Sequence, residues 1–259
     1  MKIDLTGKNA LIGGSSKGIG LGIATELANS GARVCLMARN ETKLKEIVDQ
    51  LPNSENHSYL VVDFSKFEEY KIKIEEYIKN NQVDILVNNT QGPSAGNSLS
   101  KNIDSYQEAF DLLFKSVVHT TSLVIPQMQK NKWGRIINVT SVSVKEPLNY
   151  LVLSNSIRSA VVAWAKSLSV DIGKDGITIN SILTGYFDTE RIKELNKEKS
   201  KSLNISENEV LEKMKSLVPI NRLGKPEEYG YLVSFLSSDK ASYINGASIP
   251  IDGGLLKSY

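Results

Sequence analysis

The sequence predicts an α/β protein: one Rossmann-like, doubly wound domain with a seven-stranded parallel sheet and helices on both faces. Three observations carry this expectation. A glycine turn, Gly14-x-x-x-Gly18-x-Gly20, joins an apolar run (Ala10, Leu11, Ile12) to a helical pattern (Ile19, Ile23, Ala24, Leu27, Ala28). Strand-like and helix-like stretches then alternate to the end of the chain, as in a parallel sheet covered on both sides. No internal repeat divides the sequence, so residues 1–259 read as a single domain.

Each element follows from its own pattern. Ser30-Gly31 stops the first helix, and Arg33–Ala38 is the second strand. A polar helix is expected from about Glu41 to Leu51, a strand over Tyr59–Val62, and a charged amphipathic helix over Phe67–Lys79. The strand Asp84–Asn88 comes next, then a loop marked by Pro93 and Gly96, then a long helix over roughly Ser105–Lys130. Arg135–Val139 reads as a strand ending at Thr140-Ser141, and Leu151–Ile172 as a helix. Thr178–Leu183, a helix from Pro226 and the strand Ala247–Ile251 close the sheet. One segment, about 185–223, breaks the rhythm. It is rich in Lys, Glu, Ser and Asn, with helical stretches near Glu190–Lys199 and Glu207–Leu217. A long insertion beyond the carboxyl end of a strand is expected to cover a ligand.

Composition sets broad limits. A net charge of +2, with scattered lysines, points to no nucleic-acid partner. Cys35 is the single cysteine, so no intrachain disulfide can form, which fits a cytoplasmic setting. No signal-peptide pattern opens the sequence, and no apolar run approaches a membrane span, so no membrane partner is expected. His57 and His119 lack ligand-like spacing, and no metal site is expected. Trp133 and Trp164 read as packing.

The glycine turn is where a dinucleotide would bind. Glycine permits a tight turn and close backbone approach, and a helix N-terminus offers free N–H groups to a pyrophosphate. Gly14, Ser16, Lys17, Gly18, Ile19 and Gly20 are therefore candidate cofactor-binding residues. At the end of the second strand stand Arg39 and Asn40, with no carboxylate before Glu41. Arg39 can fork onto a 2′-phosphate and Lys17 adds a second positive charge, so NADP(H) is expected in preference to NAD(H).

These residues, with Asn88-Asn89, Gly134-Arg-Ile-Ile-Asn-Val-Thr-Ser141, Gly176-Ile-Thr-Ile-Asn180 and Asp252-Gly-Gly254, resemble the short-chain dehydrogenase/reductase family along nearly the whole chain. The resemblance implies that Asp63, followed by Phe64, meets the adenine. It places Asn89 near the adenosine ribose, Gly185 at the lip of the covering segment, and Thr189 on the nicotinamide carboxamide. It also implies a small carbonyl or alcohol substrate, 3-oxoacyl-thioester reduction as the usual activity, and a homo-oligomer (a homotetramer or dimer) formed through the two long helices. Where the family reads Asn-Asn-Ala-Gly, this chain reads Asn88-Asn89-Thr90-Gln91-Gly92, so Gln91 could crowd that loop.

The reacting centre departs from the family pattern. The family reduces carbonyls with an Asn-Ser-Tyr-Lys set. Ser141 matches the serine; Ser154 stands at the tyrosine position, Arg158 at the lysine position and Leu113 at the asparagine position. A serine hydroxyl is a far weaker acid than a phenol near pKa 10, and an arginine does not shuttle protons. Arg158 nevertheless keeps the positive charge and could still clamp the cofactor ribose, so it is also a candidate cofactor-binding residue. Tyr150, one helical turn before Ser154 if the helix begins that early, is a candidate acid, with Ser141 and Arg158 as electrostatic support. Tyr186 is a second candidate; packing or lid anchoring is the alternative role for both. The expected activity is an NADP(H)-dependent oxidoreductase with a non-standard proton donor. The alternative is an NADP(H)-binding protein that has lost catalysis and acts as a sensor or partner subunit.

Overall fold

The computed structural model describes residues 2–258. Seven strands run in chain order as β1 (Asn9–Gly13), β2 (Arg33–Ala38), β3 (Ser58–Val61), β4 (Ile85–Asn88), β5 (Gly134–Val139), β6 (Ile177–Thr184) and β7 (Ser248–Ile251). They form one sheet in the order β3-β2-β1-β4-β5-β6-β7, and every pairing is parallel. The doubly wound expectation holds.

Alternation along buried strands feeds two cores. Ile12, Leu36, Val87, Ile137 and Ile182 face one side, where they meet α1 (Gly18–Asn29), α2 (Glu41–Gln50) and α9 (Pro226–Ser237). Leu11, Leu86, Ile136 and Ile179 face the other, against α3 (Phe67–Asn80), α5 (Ser116–Asn131) and α6 (Val152–Ile172). α1 and α9 approach closely because both are notched. A Cβ on Gly22 would lie 2.4 Å from Pro226 O, and one on Gly230 would lie 2.6 Å from Gly22 O.

One helix differs from expectation, while α6 falls within one residue of its expected span. The run expected over Ser105–Lys130 comprises α4 (Ile103–Phe110), a π-helical turn at Asp111–Lys115, and α5. A π turn widens the helix by one residue, and here the adjacent Leu112 and Leu113 are both buried. α6 begins at Val152 with Leu151 as its N-cap, so Tyr150 lies outside the helix. No capping side chain marks that start.

The covering segment contains α7 (Glu190–Leu203) and α8 (Glu207–Ser216). Its base is pinched: Asp188 N donates to Gly224 O at 2.8 Å and Gly224 N to Tyr186 O at 2.9 Å. The pinch fixes both ends of the segment above the carboxyl edge of the sheet. Among the described residues, no helix is long and apolar enough to cross a membrane.

Candidate active site

The sheet order reverses between β1 and β4, and the crevice outside their carboxyl ends is where an open α/β sheet binds ligands. A cavity of about 830 Å³ begins there and continues beneath α7 to the end of β5. Gly14 and Gly18 have φ of +56° and +55°, a left-handed backbone that favours glycine. A Cβ at Gly20 would lie 2.2 Å from Gly14 O, and one at Gly13 would lie 2.2 Å from Asn89 O. Asn89 Nδ2 donates to Gly13 O at 2.9 Å, tying the turn to the end of β4. No side chain caps the start of α1, so its first N–H groups remain open. This cradle suits a pyrophosphate.

Most of the expected cofactor residues are brought together. Gly14, Ser16, Lys17, Gly18, Ile19 and Gly20 line the cavity, as do Arg39, Asn40, Phe64, Asn89, Gly185 and Thr189. Asn40 also caps α2, accepting from Lys43 N at 2.9 Å. Thr189 caps α7, accepting from Ile192 N at 3.4 Å. Gln91 is exposed rather than packed into its loop. Asp63 stands outside the wall: its carboxylate accepts from Ser65 N at 3.0 Å and Ser65 Oγ at 2.6 Å. Burial pushes its pKa up, but these bonds and the nearby Arg39 charge outweigh that and hold it below the usual carboxylate range. Lys17 Nζ pairs with Glu190, linking the glycine turn to the lid helix.

At the far end of the cavity stand Ser141, Ser154 and Arg158. Ser141 follows β5 and accepts from Ser143 N at 3.1 Å, leaving its own proton available. Arg158 donates through Nε to Ser154 Oγ at 3.2 Å and through Nη1 to Val139 O at 2.5 Å. Enclosure of its guanidinium lowers its pKa to about 10; Tyr229 nearby opposes the shift and Arg191 adds to it. Tyr150 and Tyr186 are not among the cavity-wall residues. Burial pushes both phenols upward in pKa, and for Tyr150 the neighbouring Tyr186 adds to the rise.

Three features escape sequence reading. Arg191 enters the cavity from α7 and anchors to Pro93 O at 2.8 Å. Tyr229, fully buried, shares a 3.0 Å hydrogen bond with Thr184 on the cavity wall. Glu190 neutralises Lys17. Each is a common residue type in a segment whose pattern says nothing about direction. Among the described residues, no group of three or more His, Cys, Asp or Glu could hold a metal ion.

Fold, glycine cradle and cavity together define a nicotinamide-dinucleotide oxidoreductase architecture, and comparison gives the family: this chain belongs to the short-chain dehydrogenase/reductases. Residues 14–256 match the family model described as Enoyl-(Acyl carrier protein) reductase. The chain is 33% identical to Oxidoreductase UcpA of Salmonella typhimurium over 258 residues, covering 96% of this chain and 95% of the relative. It is 30% identical to 3-oxoacyl-(acyl-carrier-protein) reductase FabG of Rickettsia prowazekii, covering 98% and 99%. Among solved structures it is similar to L-sorbose reductase from Gluconobacter frateurii in complex with NADPH and L-sorbose. That match has a TM-score of 0.92 and 30% identity over 100% of both chains.

Proposed function

We propose that the protein is an NADP(H)-dependent oxidoreductase that reduces a carbonyl, or oxidises a hydroxyl, with a proton donor other than a tyrosine. The observation that carries this reading is a single continuous cavity joining the glycine cradle to Ser141, Ser154 and Arg158. NADPH in the sorbose reductase complex supports the cofactor class. Arg39, with Lys17, supports the 2′-phosphorylated form.

A bound nicotinamide dinucleotide supplies or accepts the hydride. The side chains do the rest. Ser141 donates to the carbonyl oxygen, and Arg158 stabilises the negative charge that develops there. No tyrosine, histidine or cysteine is among the described residues of the cavity wall, and the groups at the end of β5 with a transferable proton include the hydroxyls of Ser141 and Ser154. Ser154 passes its proton to the oxygen and regains one from water, with Arg158 offsetting the weak acidity of the alcohol. Tyr150 as the acid has less support, because it stands off α6 and outside the wall.

The loss of a phenol from the wall also favours a second reading, an NADP(H)-binding protein without turnover that serves as a sensor or partner subunit. One experiment separates the two. NADPH binding is measured by fluorescence and NADPH oxidation against a broad carbonyl panel, with Ser141→Ala alongside. Turnover abolished in the variant with binding retained supports the enzyme; tight binding with no turnover on any carbonyl supports the sensor. Failure to bind NADPH would overturn both.

A further inference from the structure

The substrate end of the cavity carries more positive charge than its protein neighbours neutralise. Arg158 has no carboxylate within ion-pairing distance among the described residues. Its Nε and Nη1 are used on Ser154 and Val139, while Nη2 makes no protein hydrogen bond among those residues. Arg191 reaches in from the opposite side, on the lid, and its Nη2 is braced by Pro93 O. Its partner Glu194 is 3.7 Å away, a loose contact one helical turn along.

Both guanidiniums line the same cavity, Arg158 from α6 and Arg191 from α7. Arg158 is half-buried without a carboxylate partner among the described residues, and Arg191, its side chain 40% exposed, is held only loosely by Glu194. An anion bound beside them would gain charge-assisted hydrogen bonds. A guanidinium also presents paired N–H donors that match a planar carboxylate. The pyrophosphate cradle, at Ser16–Gly20, is a different part of the wall from the end of β5 where Arg158 is held.

We propose that Arg158 and Arg191 together select a substrate bearing a carboxylate beside its reacting carbonyl, an oxo acid rather than a neutral ketone. This rests on the oxidoreductase reading above for its reaction, though the anion site itself does not need turnover. Arg191 clamps the carboxylate from the lid, so binding of the acid also draws α7 towards the sheet. Arg158 serves both the carboxylate and the carbonyl oxygen.

The test uses the whole protein and a panel of 2-, 3- and 4-oxo acids of four to six carbons, each beside its methyl ester. Binding is followed by calorimetry, with and without saturating NADPH, for wild type, Arg191→Gln and Arg191→Lys. At least one acid is expected to bind about tenfold more tightly than its ester, the scale of a charge-assisted bond. That preference should fall to about twofold in Arg191→Gln and partly return in Arg191→Lys, with NADPH affinity unchanged. Equal binding of acid and ester throughout the panel would overturn the proposal. So would an Arg191→Gln variant that loses NADPH affinity but keeps the acid preference, because Arg191 would then serve the cofactor phosphates. If wild type binds the acid but not NADPH, the oxidoreductase reading fails and the anion site stands.

Discussion

Arg158 Nε donates to Ser154 Oγ across 3.2 Å, and the two side chains, one turn apart on α6, face the same cavity. Because Ser154 accepts from a cation, its own proton is free to point elsewhere, and partial negative charge on its oxygen is stabilised. Ser154→Ala should therefore lower kcat by about a hundredfold, the low end for a lost proton-transfer group. NADPH affinity should stay within about twofold, because the cradle lies at the other end of the cavity. Steady-state kinetics on any accepted carbonyl, with a fluorescence titration of NADPH, checks both halves. Full activity in the variant would place the proton donor elsewhere.

Cofactor preference turns on a competition at the cavity mouth. Lys17 is already paired with Glu190, whereas Arg39 has no carboxylate within ion-pairing distance among the described residues. Arg39→Ala should weaken NADPH about tenfold and NADH less than twofold, since only the former carries a 2′-phosphate. Glu190→Gln should tighten NADPH by about two- to threefold at low salt by freeing Lys17. The gain should fade at roughly half-molar salt, where exposed charges are screened. Parallel titrations of both cofactors decide the matter; equal losses for NADPH and NADH in Arg39→Ala would remove Arg39 from the phosphate site.

These contrasts follow what a linear sequence can and cannot encode. The glycine cradle was legible because Gly14, Gly18 and Gly20 occupy places where the backbone leaves little room for any other residue. The seven-stranded parallel sheet followed from the alternation of strand-like and helix-like stretches, whereas its strand order is given by the structure alone. Asn40 and Thr189, expected at the site, line the cavity, and their capping bonds also set helix starts. The start of α6 was legible to within one residue, but its lack of a capping side chain left the place of Tyr150, just before it, open in the sequence. The π turn at Asp111–Lys115 was invisible, since Leu112-Leu113 reads as ordinary helix either way. Arg191 was hidden for a different reason: in a lid full of charges, nothing local distinguishes the one that turns inward.

The start of α9 makes a pH-dependent contribution to stability. Arg222 Nη1 and Nη2 donate to the two Glu228 carboxylate oxygens at 2.7 and 2.6 Å, and Lys225 N donates to Glu228 Oε2 at 2.8 Å. The Arg222 bonds first, and then the backbone bond, pull the Glu228 pKa from 4.5 to about 2. A carboxyl whose pKa is lower in the folded state stabilises above its unfolded value and loses that stabilisation as pH falls towards the folded value. Glu228→Gln should thus cost about 1 kcal/mol at pH 7, a figure limited by solvent screening of half-exposed partners. The difference between variant and wild type should shrink steadily from pH 4.5 to pH 2. Urea titrations at pH 7 and pH 3 measure it, and a penalty of equal size at both would contradict the linkage.

The last prediction asks whether the reacting centre can be given a phenol. Ser154 is buried at 8% exposure, but it lies on the wall of a cavity of about 830 Å³, so a larger side chain can extend into open space. A phenol near pKa 10 is a better acid than an alcohol by several orders of magnitude, and a neighbouring lysine can lower it further. Ser154→Tyr combined with Arg158→Lys should therefore raise kcat for carbonyl reduction at least tenfold over wild type, with NADPH affinity little changed. Arg158→Lys alone adds an ammonium of pKa about 10 but no phenol at the Ser154 position, so any gain should be smaller than in the double variant. The lysine also lacks the guanidinium's paired donors, so the double variant should prefer oxo acids over their esters less strongly than wild type does. Kinetics of the two variants with one acid and its methyl ester read both effects together. A double variant that binds NADPH yet reduces nothing faster than wild type would mean that proton donation does not limit this site, and attention would move to how the lid admits substrate.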